Sequence, residues 1–150
     1  MSNNPKIKHL FEPRSVAIIG ASSTPNKIGY TIVRNIVQSG YQGKVYPVNP
    51  KGGEVLGLPI YKSMADIDDE IDLVTISIPS PFVFEAVKSC AGKGVKYLSV
   101  ITSGFSEVGN TEEEKQIVAF AREHGMGVLG PNIFGIYSAA ASMDARGTEP

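Results

Sequence analysis

Two stretches of this chain carry groups suited to holding a phosphate. The first is Ser15-Val16-Ala17-Ile18-Ile19-Gly20-Ala21-Ser22, followed by Ser23-Thr24-Pro25-Asn26-Lys27-Ile28-Gly29. An apolar, β-branched run stops at a glycine, a short polar loop follows, and a helix then begins with Lys27 and no acid in its first turns. Backbone N–H groups at a helix start lack intrahelical acceptors, and the helix dipole adds partial positive charge there. At the end of a parallel strand this makes a seat for an anionic, nucleotide-like ligand. A lysine at that end is mildly unfavourable unless an anion sits beside it. The second stretch is Asn49-Pro50-Lys51-Gly52-Gly53, which closes the next strand. An acid at that place would grip a ribose diol, whereas a lysine grips a phosphate. Gly20 is followed by Ser22 and Pro25, not by the glycines of a G-x-G-x-x-G turn. NAD is therefore disfavoured, and two nucleotides with an extra phosphate remain, NADP and coenzyme A.

The elements that must position these loops follow from periodicity. The spacing predicts a strand over 15–20, then a helix with Ile28, Ile32, Val33, Ile36 and Val37 on one stripe. Pro25 suits the first turn of that helix, with Thr24 or Asn26 as cap. A strand over 43–48 is followed by a short element over 58–61. Another strand over 73–78 ends at Pro79-Ser80-Pro81, where Ser80 can cap a helix and Pro81 can be its first residue. Phe82, Val83, Ala86, Val87 and Cys90 then share a face, and Gly92 and Gly94 mark the stop. A strand over 97–102 leads to a loop over 103–109. Thr111 and Glu114 form a capping box for a helix with Ile117, Phe120 and Ala121 inward, ended by Gly125. A short strand over 126–129 is broken by Gly130-Pro131-Asn132. Strands alternate with helices and are apolar on both faces. The expectation is α/β: a single-domain, Rossmann-like, doubly wound parallel sheet over 15–143, with a lead-in over 1–14 and a linker over 144–150.

Bulk properties exclude several classes. The chain has 150 residues and a net charge of −1, so it can bury one core and offers no basic surface for nucleic acid. No apolar run reaches membrane-spanning length, and Met1–Lys8 is polar with no apolar segment after it, so neither a membrane anchor nor a signal peptide is expected. The single cysteine, Cys90, cannot form an internal disulfide and fits a reducing cytoplasm. One cysteine with two separated histidines, His9 and His124, cannot build a structural zinc site. His124 reads as a helix C-terminal cap, His9 as exposed, and Cys90 as a buried, inert thiol. Asp66, Asp68, Asp69, Glu70 and Asp72 precede a strand at the wrong end for a ligand and read as a solvated face.

In an open parallel sheet, ligands bind beyond the carboxyl ends of the strands. Five motifs stand at those ends in order: Ile19-Gly20-Ala21-Ser22, Pro47-Val48-Asn49-Pro50-Lys51, Ile78-Pro79-Ser80, Ile101-Thr102-Ser103-Gly104-Phe105 and Gly130-Pro131-Asn132. Together they resemble the coenzyme-A-binding domain of the NDP-forming acyl-CoA synthetases. That superfamily contains the ADP-forming acetyl-CoA synthetases and the α subunit of succinyl-CoA synthetase. The likeness runs from Phe11 to Ser142 and is greatest for the acetate type, through Gly104-Phe105-Ser106-Glu107 and Pro131-Asn132-Ile133-Phe134-Gly135. A cysteine commonly follows the asparagine in that family; Ile133 stands here, so a role for that thiol does not carry over.

The resemblance implies coenzyme A as ligand. Gly20 and Ala21 would form the turn, and Ser22, Ser23, Thr24 and Lys27 would hold its phosphates. Asn49, Pro50 and Lys51 would border the adenine and phosphate end. Ile78, Pro79 and Ser80 would line the path of the pantetheine arm. Thr102, Ser103 and Gly104 would lie nearer the thiol, Asn132 would shape the crevice edge, and Glu107 could reach an acyl phosphate. The implied reaction joins a carboxylic acid to coenzyme A at the expense of a nucleoside triphosphate, through an acyl phosphate and a phosphohistidine. That histidine belongs to downstream domains or a partner subunit and has no counterpart here, so this chain alone is expected to catalyse nothing. Two alternatives stand beside this reading: a freestanding coenzyme-A-binding module without catalysis, and a fragment of an NADP-dependent oxidoreductase.

Overall fold

The structure is a computed structural model that describes residues 12–101, 111–129, 135–138 and 143–146, the last two segments and residue 111 by their backbone. Five strands form one parallel sheet: β1 (Ser15–Ile19), β2 (Lys44–Val48), β5 (Leu73–Ile76), β6 (Tyr97–Val100) and β7 (Gly127–Leu129), in the order β2-β1-β5-β6-β7. The register pairs Ile19 with Val48 on one side and with Ile76 on the other. Ile76 in turn pairs with Val100, and Ser99 with Leu129. Chain order reverses across β1, the arrangement that opens a crevice at the carboxyl ends of β1 and β5.

Both faces of the sheet are covered, which explains strands that are apolar on both sides. On one face α1 (Ile28–Gln38) presents Ile32, Val33 and Ile36, all fully buried, to Val16, Ile18 and Leu73. A short antiparallel pair, β3 (Glu54–Val55) and β4 (Leu58–Pro59), adds Val55 and Ile60 to that cluster. On the other face α2 (Val83–Ser89) and α3 (Thr111–Glu123) bring Val83, Val87, Ile117 and Ala121 against Ala17, Val74, Ile76 and Leu98. The crossover from β2 to β5 covers this face with Met64, Ile67 and Ile71 instead of a helix.

The expected α/β doubly wound parallel architecture is the one observed, with local differences. Pro25 is not in the first helical turn. It sits in a β-turn closed by the Lys27 N–H donating to the Thr24 carbonyl at 3.1 Å, and Lys27, extended at φ −94° and ψ 147°, is the residue before α1. Neither Thr24 nor Asn26 caps, because no side chain bonds the first turn. Ser80 likewise does not cap: Ser80–Phe82 forms a 3-10 turn, and α2 begins after it. Past β7 the sequence pattern predicts no further element. Gly135–Ser138 (β8) and Met143–Arg146 (β9) nevertheless pair antiparallel, with β9 running alongside α1. Strand structure thus continues past residue 143, where the expected linker would begin. Among the described residues, no helix is long and apolar enough to cross a membrane, and no cluster of His, Cys, Asp and Glu could hold a metal ion.

The acidic stretch corrects one expectation. Asp72 is not solvated; it is 1% exposed. Its carboxylate accepts bonds from the backbone N–H of Arg14 at 2.8 Å and from that residue's Nε and second terminal nitrogen, each at 2.9 Å. A buried carboxylate persists when it is paired and hydrogen-bonded in this way. Asp69 is half-buried and accepts from the Tyr46 hydroxyl at 2.8 Å. Asp66, Asp68 and Glu70 are exposed as expected.

Candidate functional site

A cleft of about 680 Å³ opens at the carboxyl ends of β1, β2, β5 and β6. Its floor is the turn after β1. The Gly20 and Ala21 N–H groups both donate to the Val48 carbonyl, at 2.9 and 3.2 Å, tying this turn to the end of β2. Gly20 has φ +98°, and a Cβ there would lie 2.1 Å from the Ser77 carbonyl oxygen, so only glycine fits.

The start of α1 is held against that turn by Gly29. A Cβ on Gly29 would stand 1.9 Å from the Gly20 carbonyl oxygen. This is the close helix–strand approach that the third glycine of a dinucleotide fingerprint provides. Sequence reasoning found that glycine missing because it looked for it at Pro25, inside the loop. The longer loop moves the job to the second helical residue. The free N–H groups of the first turn of α1 then border the cleft beside Ser22, Ser23, Thr24, Asn26 and Lys27. Within the loop, the Thr24 N–H donates to Ser22 Oγ at 3.0 Å, so the serine hydroxyl shapes the turn.

The second wall comes from the turn after β2. Asn49 joins the two loops: its Nδ2 donates to the Ala21 carbonyl at 2.9 Å, and its Oδ1 accepts the Lys51 N–H at 2.9 Å. Both ends of this amide are engaged within the protein, which leaves the exposed Lys51 side chain as the charged group on that wall. The backbone of Asn49 is itself anchored by donation to the Tyr61 carbonyl at 2.8 Å. Across the cleft, Ser77, Ile78, Pro79 and Ile101 supply a more apolar lining.

Of the residues marked in the sequence, Gly20, Ser22, Ser23, Thr24, Lys27, Asn49, Lys51, Ile78 and Pro79 all line this one cleft. Ala21 does not: it is 0% exposed and turned into the core. Pro50 and Ser80 lie on the same loops outside the lining. Thr102, Ser103, Gly104 and Asn132, with Glu107 and Ile133, fall outside the described residues. The lining residues that sequence reasoning missed are Asn26, Ile28, Gly29, Gly52, Ser77 and Ile101. Each is a neighbour of a marked position, and strand-end proximity was the signal available for them.

The charge of the cleft is one-sided. Lys27 and Lys51 stand on it, and among the described residues no Asp or Glu lines it. That suits a polyanion bound over its length, with an apolar stretch toward Ile78, Pro79 and Ile101. No general acid–base pair or nucleophile faces the cleft among these residues. Cys90 is buried, and burial pushes its thiol up to about 12. His124 stacks on Phe120 at a ring separation of 4.1 Å, with Nδ1 2.9 Å from the Phe120 carbonyl oxygen at the end of α3. Its place is that of a helix cap.

Comparison with known proteins gives concordant matches. A family model described as a CoA binding domain matches residues 14–139. The Pyrococcus furiosus acetate–CoA ligase (ADP-forming) I subunit alpha is 46% identical over 145 residues, covering 93% of this chain and 31% of that protein. A solved dinucleotide-forming acetyl-coenzyme A synthetase 1 of Ca. Korarchaeum cryptofilum, in complex with phosphate and ADP, superposes with a TM-score of 0.92 at 45% identity. It covers 95% of this chain and 31% of that one. A much shorter solved chain, a conserved hypothetical protein from Pyrococcus furiosus, is 26% identical with a TM-score of 0.61, and 95% of it is covered. The chain therefore spans about a third of the larger relatives and nearly all of the small one.

Proposed function

The chain belongs to the CoA binding domain family, and from that premise we propose that its cleft binds coenzyme A within an ADP-forming acyl-CoA synthetase. The observation that carries the reading is the cleft itself: two lysines from different loops, a helix start, and no acidic side chain among its described lining residues. Lys27 and the loop over 22–24 take phosphates, Lys51 takes phosphate at the adenosine end, and Ile78 and Pro79 border the pantetheine arm. Ala21 and Asn49 act by holding the two loops together, not by touching the ligand. Thr102, Ser103 and Gly104, with Asn132, complete the thiol end.

The larger enzyme would join a carboxylic acid to coenzyme A with ADP-forming chemistry, acting in the cytoplasm. Its acid-binding and phosphoryl-carrying groups would belong to further domains or a partner subunit. This chain would bind and orient the thiol substrate and catalyse nothing by itself. The test is a parallel calorimetric titration with coenzyme A, NADP and ADP. Coenzyme A should bind most tightly; equal or tighter binding of NADP refutes the reading. A second reading, a freestanding coenzyme-A-binding module, is favoured by the short relative that this chain nearly covers. Synthesis of acetyl-CoA from acetate, ATP and coenzyme A, gained only when the chain is joined to the rest of a synthetase, separates the two.

A further inference from the structure

Phe82 is the most exposed large apolar side chain among the described residues, at 61%. It ends the 3-10 turn Ser80–Phe82, and its N–H is tied to the Pro79 carbonyl at 3.0 Å. Pro79 and Pro81 beside it are also exposed, so three apolar side chains stand together on a backbone that two proline rings stiffen. The next aromatic along the chain behaves differently. Phe84 is half-buried, packs edge-on against Phe120 at 5.9 Å, and lies under the Lys88 ammonium at 5.0 Å. Phe82 makes no such ring contact among the described residues. Its neighbour Val83 is fully buried, so the turn itself is well anchored.

The position of this patch says what covers it. Both faces of the sheet are already occupied by helices and hairpins. Phe82 instead stands at the carboxyl edge, three residues beyond Pro79, which lines the open cleft. The larger relatives carry about two thirds of their length outside the matched segment. In a protein of that organisation a further body must meet this domain where the cleft opens. Resting on the reading of the chain as part of a larger synthetase, the geometry points to Pro79, Pro81 and Phe82 as the docking surface for the rest of that synthetase, seated beside the mouth of the cleft. Phe82 is the anchor, since aromatic side chains concentrate the contact area of an interface.

The experiment joins residues 1–150 to the remaining two thirds of the Korarchaeum cryptofilum synthetase and places a photocrosslinker at one site, Phe82→p-benzoylphenylalanine. Irradiation should give crosslinked peptides from the appended portion. Crosslinks confined to residues 1–150, or to a second copy of the chain, overturn the proposal. A second measurement uses this chain alone: Phe82→Ser should leave its Tm and its coenzyme A affinity unchanged, because Phe82 is exposed and outside the cleft lining. A fall in Tm of more than a few degrees would show that Phe82 serves this domain's own packing, and would also overturn it. In the fused protein the same substitution should speed proteolysis at the junction severalfold; an unchanged rate counts against docking. Coenzyme A titration of the unsubstituted chain judges the functional reading separately. Tight binding with no crosslink to the appended portion leaves that reading standing and removes this inference.

Discussion

Replacing Gly29 by alanine tests the packing that builds the cleft. Gly29 is the second residue of α1 and has an ordinary helical backbone. Helix propensity alone therefore favours alanine there by about 0.8–1 kcal/mol. The tertiary structure reverses the sign. The new Cβ would meet the Gly20 carbonyl oxygen at 1.9 Å, and real Cβ contacts do not fall under 3.0 Å, so α1 or the β1 turn must retreat by more than 1 Å. That turn cannot yield cheaply, since the Gly20 and Ala21 N–H groups are bonded to Val48 and Gly20 itself abuts Ser77. Overpacking of this kind costs about 3 kcal/mol or somewhat more, which leaves a net loss of about 2 kcal/mol after the propensity gain. For a chain of this size, that corresponds to a Tm lower by roughly 4–8 °C. Thermal unfolding followed by circular dichroism reads it directly. Gly29→Ala with a Tm equal to or above the parent would refute the argument. Displacement of the helix start should also weaken coenzyme A binding in the fraction that remains folded.

Lys51→Ala should weaken coenzyme A binding about tenfold or more, as expected for one charge-assisted phosphate contact, and leave Tm unchanged; calorimetry and a melting curve check both. Asn49→Ala removes two hydrogen bonds that join the loops, so it should lower stability by about 1–3 kcal/mol in urea titration and loosen binding as well. The Tyr46–Asp69 pair gives a pH dependence. Burial and the bond to Asp69 push Tyr46 up to about 12, while the Tyr46 hydroxyl holds Asp69 below its usual 3.8. The Tyr46 contribution is complete below about 10, its unfolded value, and is lost as pH rises through about 12. The Asp69 contribution is present above 3.8 and lost as pH falls through its lower folded value. Tyr46→Phe should flatten both limbs of a stability–pH profile measured by urea midpoint. Cys90, buried and held protonated, should react with a thiol reagent at pH 8 only as the protein unfolds; rapid labelling of the native chain would contradict its placement.

Much of this molecule was legible before its structure. β-branched runs that stop at Gly20, Asn49, Pro79 and Thr102 announce parallel strands, because both faces of each must be apolar. The stripe Ile32, Val33, Ile36 announces α1 because helical geometry puts those side chains on one side. Lys27 and Lys51 could be marked because the chemistry of a strand-end loop depends on a few neighbouring residues. What the sequence did not reveal depends on pairs distant along the chain. Asp72 looked like one of five solvated acids until register placed it against Arg14, 58 residues away. Ser77 and Ile101 enter the cleft only because β1, β5 and β6 end at one level. β8 and β9 escaped notice because two strands of four residues carry too little periodicity to stand out. Gly29 is the sharpest case. Its backbone is one that any residue adopts, and its spacing matches no fingerprint. It must be glycine because the carbonyl of Gly20 lies where a side chain would begin, a requirement that exists only once strand and helix are packed together.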